Sequence, residues 1–262
     1  MNTWRPGQES EDEMDVKNWL GTGGLKLGTI LSMDDPAIAE IAGLAGFDWL
    51  WVDAEHGRFN ELSAATACAI NAGRLPTFVR LPDSSSTAIK RFLDIGCDGI
   101  ILPQVSSGSE VDEIARAALY PPQGERSVGI ARAQGYGLRF GECLQRQDYA
   151  IVVQIETGLG VQNAEAIVCH AAVNAVIIGP YDLSGSLGIP GQIDAPQVVE
   201  GIARVQQLCR RHGKPCGIFA ATAEKARLYA ESSFELVAVG MDCSVLLNGF
   251  KSLCESVRKP TV

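Results

Sequence analysis

The sequence has few basic residues and lacks any long apolar run. Among its 262 residues, 22 are Lys or Arg and 31 are Asp or Glu, so the net charge is −9. No block of positive charge offsets this, which disfavours nucleic acid and anionic membranes as partners. No apolar stretch is long enough to span a bilayer, and the polar residues 1–19 contain no signal-peptide core. These absences predict a soluble, cytoplasmic protein.

Several cofactor signatures are missing as well. The eight cysteines form no C-x-x-C pair, which argues against a zinc site or a disulfide framework. No G-x-G-x-x-G follows the first predicted strand, and the segments after the last two predicted strands lack a glycine-rich phosphate loop. We therefore expect no organic cofactor and a substrate without a phosphate group.

What the chain does have is a regular alternation of short apolar runs and helix-like segments. The runs lie at 26–31, 49–54, 75–81, 99–104, 150–156, 175–180, 215–220 and 236–242. Eight strands alternating with about eight helices predict an α/β protein with a parallel sheet covered by helices. Strand count and length favour a closed (β/α)₈ TIM-type barrel, for which about 250 residues is typical. We predict an acidic extension at 1–20 and one barrel domain at 21–262.

Polar residues gather at the carboxyl ends of these strands, where barrel enzymes carry their catalytic groups. They are Asp53, Glu55 and His56 after strand 2, Arg80 on strand 3, Gln104 after strand 4, Gln154 and Glu156 on strand 5, and Asp182 after Gly179 and Pro180 on strand 6. The opposite ends carry far less, mainly Lys26 and Lys214. This asymmetry favours an enzyme. The stretch 121–149 has no clear period, and we interpret it as a long strand-to-helix connection beside the active site.

Two of the carboxylates have the spacing of a metal site. Glu156 and Asp182 lie one strand–helix unit apart, and neighbouring strands are about 4.8 Å apart, so both can reach one cation. Oxygen ligands without Cys or His favour Mg²⁺ or Mn²⁺, with Co²⁺ as a further candidate. No lysine projects from the end of a predicted strand, which excludes Schiff-base chemistry there. A carbonyl substrate would instead be activated by the metal as a Lewis acid.

His56 is the histidine best placed for catalysis. It follows a strand at the same rim as Arg80 and the carboxylate pair, whereas His170 and His212 belong to helix ends. An imidazole titrates near neutrality, so it can exchange protons with bound water or with a carbon next to a carbonyl. We predict that His56 is the catalytic base.

Six segments resemble, in order, the blocks of the HpcH/HpaI aldolase family. They are AGFDWLWVDAEHGRFN, VRLPDSSSTAIKRFLDIGCDGIILPQV, YPPQGERSVG, VVQIETGLGVQN, GPYDLSGSLGIPGQ and VAVGMD. The resemblance spans roughly residues 26–245. It implies a barrel that exchanges its last helix between subunits, usually in a hexamer built as a trimer of dimers. It also implies a class II aldolase that cleaves a 2-keto-4-hydroxy acid to pyruvate and an aldehyde through a metal-bound pyruvate enolate.

The resemblance also implies residue roles. Glu156 and Asp182 would hold the metal, and Arg80 would stabilise the enolate oxygen. His56 would act as the base through a bound water, with Asp94 or Asp53 orienting it. The substrate-binding residues implied are Gln154, Gly179, Pro180, Tyr181 and Arg80.

Two departures from the family pattern leave the substrate open. Ile30 stands where the family often has tryptophan, and Tyr181 stands where it has a small residue. One alternative is an oxaloacetate decarboxylase, or an enzyme like macrophomate synthase that forms a carbon–carbon bond; Arg80 with Tyr136 would suit that chemistry. An alternative of another class is a barrel that binds a keto acid without turnover.

Overall fold

Short runs rich in branched aliphatic and aromatic residues form the eight strands of a closed parallel barrel. The computed structural model describes residues 14–258. The strands, paired in sequence order with β8 closing on β1, are β1 (Lys26–Leu31), β2 (Trp49–Asp53), β3 (Thr77–Arg80), β4 (Gly99–Leu102), β5 (Ala150–Ile155), β6 (Ala175–Ile178), β7 (Cys216–Ala220) and β8 (Leu236–Met241). Each predicted strand agrees with an observed one to within two residues at either end. The predicted (β/α)₈ barrel is confirmed.

The helices follow the expected local signals. They are α1 (Val16–Gly21), α2 (Pro36–Leu44), α3 (Glu61–Asn71), α4 (Ser86–Asp94), α5 (Gly108–Ala118), α6 (Phe140–Arg146), α7 (Gly158–Gln162), α8 (Ala164–Val168), α9 (Pro180–Ser186), α10 (Pro196–His212), α11 (Ala223–Glu231) and α12 (Asp242–Arg258), with a 3₁₀ helix at Arg132–Gly137. Asp35 caps α2 with Pro36 in its first turn, and Gly213 ends α10 in the left-handed conformation. Across residues 14–258, no helix combines the length and apolar character needed to cross a membrane.

The amino-terminal half of the barrel interior is filled by aromatic rings. Trp49 and Phe78 are fully buried there, and a Cβ at Gly28 would lie 2.4 Å from the Trp49 ring. Helix α1 closes this end: its Leu20 is buried, and the Trp19 ring lies 6.2 Å from that of Phe78. The last residues of the predicted acidic extension therefore belong to the core, while residues 1–13 lie outside the described part. Polar inward-facing residues are thereby concentrated at the carboxyl end.

The prediction for residues 121–149 is wrong. Helix α5 follows β4 after a short connection, so this stretch leads from α5 back to β5 and lies at the amino-terminal end of the barrel. It contains the 3₁₀ helix and α6, and Arg132 Nη1 donates to the carbonyl of Gly96, just before β4. Tyr136, on this stretch, is therefore separated from Arg80 by the length of the barrel.

Helix α12 is amphipathic but covers little of its own barrel. Only Asp242, its first residue, is buried. The exposed apolar side chains are Val245, Leu246, Leu247, Phe250, Leu253 and Val257. A stripe of this kind at helical spacing is an unsatisfied packing surface.

Candidate active site

A buried ion-pair cluster occupies the carboxyl ends of β2 and β3. Asp53 and Arg80 are paired in register as the last residues of these strands. Arg80 donates from Nε to Asp53 Oδ1 at 2.9 Å and from Nη2 to Oδ2 at 2.7 Å, and its Nη1 lies 3.0 Å from Glu55 Oε2. The guanidinium also lies over the Trp51 ring, 5.0 Å from its centroid. Such a bidentate, stacked arrangement fixes the guanidinium plane.

Glu156 is the most perturbed carboxyl of the site. It follows β5, is 2% exposed, and its Oε1 accepts the backbone N–H of Gln104 at 2.9 Å. Its Oε2 accepts from Nε2 of the Gln154 amide. Burial and, after it, repulsion by Asp182 raise the pKa of the Glu156 carboxyl to about 8. Gln104 supplies its N–H from a left-handed backbone conformation, φ 55°, which non-glycine residues seldom adopt.

The connection from β6 to α9 completes this side of the rim. A Cβ at Gly179 would lie 2.4 Å from Glu156 Oε2, so only glycine lets the end of β6 approach the carboxylate. Pro180 is buried in the first turn of α9. Asp182, in the same turn, is exposed to solvent. Tyr181, between them, is 41% exposed.

The residues present fit a divalent cation. Glu156 and Asp182 repel each other, and the buried Gln154 Oε1 has no hydrogen-bond partner, so a positive charge here would relieve both penalties. In the described part of the chain, no group of three or more His, Cys, Asp or Glu residues is arranged to hold a metal ion. Glu156 and Asp182 would supply only part of the coordination shell of Mg²⁺ or Mn²⁺, and oxygens of water and substrate would complete it.

The loop after β2 presents Glu55 and His56. Asp53 Oδ1 accepts the backbone N–H of Glu55 at 3.0 Å and of His56 at 3.3 Å. The His56 side chain is 64% exposed, and its Nε2 lies 3.8 Å from Glu55 Oε2. Burial raises the pKa of Glu55. Asp53 therefore anchors the loop backbone and Arg80, and Glu55 supplies the carboxylate beside the imidazole.

Among the residues to which the family resemblance assigns site roles, Asp94 is the one that the structure does not bring to this rim. It is the last residue of α4, just before β4, and so lies at the amino-terminal end of the barrel. There its Oδ1 accepts from Nη2 of the buried Arg126 at 2.6 Å. Within this chain Asp94 cannot orient His56.

One polar anchor of the rim was not assigned a role from sequence. Asp242 is buried at the start of α12 and accepts from the Ser32 backbone at 2.9 Å, the Ser32 hydroxyl at 2.6 Å and the Met33 backbone at 2.8 Å. It thus fixes the loop after β1 beside the site. The available signal was its position: like Asp53, it is a carboxylate directly at the end of an apolar strand.

Comparison with known proteins places this geometry in a family. The family model described as HpcH/HpaI aldolase/citrate lyase matches residues 26–249. A 5-keto-4-deoxy-D-glucarate aldolase from Salmonella arizonae is 34% identical over 239 residues, covering 90% of this chain and 93% of that protein.

Solved structures agree with this assignment. An HpcH/HpaI aldolase/citrate lyase family protein from Burkholderia cenocepacia J2315 superposes with a TM-score of 0.88 at 32% identity, covering 93% of this chain and 99% of that one. The HpcH/HpaI aldolase from Desulfitobacterium hafniense DCB-2 superposes with a TM-score of 0.86 at 29% identity, covering 94% of this chain and 97% of that one. The predicted enzyme class, a carbon–carbon lyase, is confirmed by these relatives. The chain belongs to the HpcH/HpaI aldolase/citrate lyase family.

Proposed function

We propose that this chain is a class II aldolase that uses a divalent cation to cleave a 2-keto-4-hydroxy acid into pyruvate and an aldehyde, and to run the reverse addition. The observation that carries the proposal is the buried Glu156 carboxyl. It is held by Gln104 and Gln154, repelled by Asp182, and part of the same charge network as Arg80. A carboxylate with a purely structural role would be paired with a basic side chain. Glu156 instead lies beside two hydrogen-bond donors and a second carboxylate, an environment suited to binding a metal cation.

Glu156 and Asp182 would hold the cation, Mg²⁺ or Mn²⁺, with the Gln154 amide beside them. When bound, the cation would act as a Lewis acid on the keto oxygen of pyruvate and favour the enolate. Because Gly179 has no Cβ, the end of β6 can lie directly beside the Glu156 carboxylate without a side chain filling that space.

Arg80 would neutralise the negative charge that develops on the substrate oxygen. A guanidinium has five N–H donors, and two of them, one on Nε and one on Nη2, donate to Asp53. Nη1 forms an ion pair with Glu55 Oε2 at 3.0 Å. The remaining N–H groups can donate to the substrate. Because the guanidinium is fixed before the substrate binds, it stabilises developing charge with little reorganisation.

His56 would move the proton of the pyruvate methyl group, directly or through one water. Its exposed imidazole reaches solvent, so the proton can leave the site, and Glu55 stabilises the imidazolium that forms. Asp53 would act by holding the loop that carries His56. Within a single chain Asp94 lies at the opposite end of the barrel, so the orienting role there falls to Asp53.

We also propose that α12 packs on a second copy of the chain. Its apolar stripe is exposed on the isolated barrel, and the family-type exchange of the last helix would cover it. The expected assembly is a homo-oligomer, a hexamer arranged as a trimer of dimers.

The test is metal-dependent release of pyruvate from a 2-keto-4-hydroxy acid by protein stripped with EDTA. Activity should return with Mg²⁺ or Mn²⁺ in the wild type and in Glu231→Ala, which removes an exposed carboxylate on α11. It should not return in Glu156→Ala or Asp182→Ala. Full activity in either site variant would contradict the proposal. Rapid metal-dependent loss of oxaloacetate without any aldol cleavage would instead indicate a decarboxylase, and pyruvate binding without turnover a non-catalytic barrel.

A further inference from the structure

The loop that carries His56 is held by backbone hydrogen bonds on both sides of the imidazole. The His56 side chain is 64% exposed, so its position depends on the loop backbone rather than on packing. Asp53 Oδ1 accepts the N–H groups of Glu55 and His56. On the other side of the imidazole, the N–H of Arg58 donates to the carbonyl of Ser32 at 2.9 Å. One anchor therefore belongs to β2 itself, and the other is the residue that follows β1.

The loops after β1 and β2 also approach each other closely at Gly57. A Cβ at this position would lie 3.1 Å from Ser32 Cα and 2.1 Å from the carbonyl oxygen of Asp53. Glycine lets the two backbones come this near. A shift of Ser32 would therefore move the residue that directly follows His56.

Ser32 is in turn fixed by a buried carboxylate at the end of β8. Asp242 is 7% exposed and accepts the N–H of Ser32 at 2.9 Å, its hydroxyl at 2.6 Å and the N–H of Met33 at 2.8 Å. It also accepts the N–H of Cys243 at 2.7 Å. These partners, the ones found in the described part of the chain, are all backbone N–H or serine hydroxyl groups. Hydrogen bonds to a carboxylate are short and strong, so Asp242 locks the backbone that follows β1.

We propose that Asp242 is a positioning residue for the catalytic base, because through Ser32 it fixes the loop that carries His56. The inference rests on the proposed function, in which His56 moves the methyl proton of pyruvate. Proton transfer needs the base within hydrogen-bond reach of that proton, and a displacement of about 1 Å can cost about 100-fold in rate. Asp53 also binds Arg80, whereas Asp242 serves the loops alone. Loss of Asp242 should therefore impair proton transfer and leave substrate and cation binding intact.

The first measurement is the exchange of pyruvate methyl protons with saturating Mg²⁺. Asp242→Ala should lower kcat for exchange by about 10- to 100-fold. The KM for pyruvate and the Mn²⁺ affinity from calorimetric titration should each stay within about threefold of wild type, because Arg80 and Glu156 keep their own partners.

A double-mutant cycle then tests whether Asp242 acts through the imidazole. Asp242→Ala is added to His56→Ala, with free imidazole supplied to both proteins as the base so that a rate can be measured. Because free imidazole does not depend on the loop, the second substitution should change this rate by less than about twofold.

Asp48→Ala is the matched control. Asp48 precedes β2 and accepts the N–H of Leu27, on β1, at 2.7 Å, so it also anchors β1 through a carboxylate, but at the opposite end of the barrel. Its kcat for exchange should stay within about twofold of wild type. If Asp242→Ala does not fold, Ser32→Ala replaces it in the cycle. That variant removes a single hydrogen bond and should lower kcat by about two- to tenfold.

Three results overturn the inference in a wild type that exchanges the methyl protons. They are a wild-type kcat in Asp242→Ala, or in the Ser32→Ala that replaces it; the same loss from Asp242→Ala with and without His56; and an equal loss in Asp48→Ala, which would indicate a general weakening of the barrel. Each of these leaves the metal-dependent aldolase standing. Wild-type protein that shows no exchange with either cation overturns the proposed function and the inference with it.

Discussion

Replacing Glu156 by glutamine should stabilise the metal-free protein at neutral pH. The pKa of Glu156 is raised to about 8 in the folded chain from an ordinary value of 4.5. The folded state therefore binds this proton more tightly than the unfolded state, and stability falls as the pH rises from about 4.5 towards 8. At pH 7 the penalty is about 3 kcal/mol, from roughly 1.4 kcal/mol for each pH step above the unfolded pKa. Glu156→Gln removes the ionisation and keeps the shape.

The assay is urea unfolding of EDTA-treated wild type and Glu156→Gln at pH 5 and pH 7. The free energy of unfolding of the variant should exceed that of the wild type by about 3 kcal/mol at pH 7 and by less than about 1 kcal/mol at pH 5. Comparing the two pH values cancels the change in hydrogen bonding from carboxyl to amide. Mg²⁺ at saturating concentration should stabilise the wild type and not the variant.

A matched control is Glu231→Gln, at an exposed carboxylate on α11. Its free energy of unfolding should stay within about 0.5 kcal/mol of the wild-type value at both pH values, as is usual for surface substitutions. If the free energy of unfolding depends on pH in the same way for the wild type and Glu156→Gln, Glu156 is ionised in the metal-free protein. That result would refute the claim that Glu156 stays protonated until a cation binds.

Three further changes have defined outcomes. Gly179→Ala, whose Cβ would lie 2.4 Å from Glu156 Oε2, should weaken Mn²⁺ binding about tenfold or more in calorimetric titrations with an unchanged circular dichroism spectrum; wild-type affinity would show that the carboxylate is not a ligand. Arg80→Lys cannot keep both bonds to Asp53, so we expect about 100-fold slower pyruvate proton exchange; an undiminished rate would remove Arg80 from the mechanism. Phe250→Asp should lower the mass measured by light scattering, because a charge enters the apolar stripe of α12; an unchanged mass would place the subunit contact elsewhere.

Much of the fold is predictable because a parallel barrel buries both faces of its strands. Continuous apolar runs such as 49–54 and 175–180 therefore mark the strands, and eight of them fix the architecture. The rim is predictable for a related reason. Charged residues such as Asp53 and Arg80 stand at the ends of apolar runs, and the carboxyl ends of parallel strands all lie at the same end of the barrel.

Other features depend on which side chains pair with each other in the folded chain, and the spacing of residues in the sequence does not determine this. Asp53 satisfies Arg80 and the loop backbone, so Glu55 is left beside His56. Asp94 ends a helix that runs back to the other end of the barrel, where Arg126 pairs with it. The stretch 121–149 was assigned to the wrong end because its direction depends on recognising α5 directly after β4.

The most direct test of the central claim is exchange of the pyruvate methyl protons in D₂O, followed by NMR on EDTA-stripped protein. The account predicts no exchange without a cation, exchange when Mg²⁺ or Mn²⁺ is added, and none in Glu156→Gln under either condition. Exchange that proceeds equally well in stripped protein, or in Glu156→Gln with the cation present, would contradict enolate formation at the Glu156–Asp182 pair.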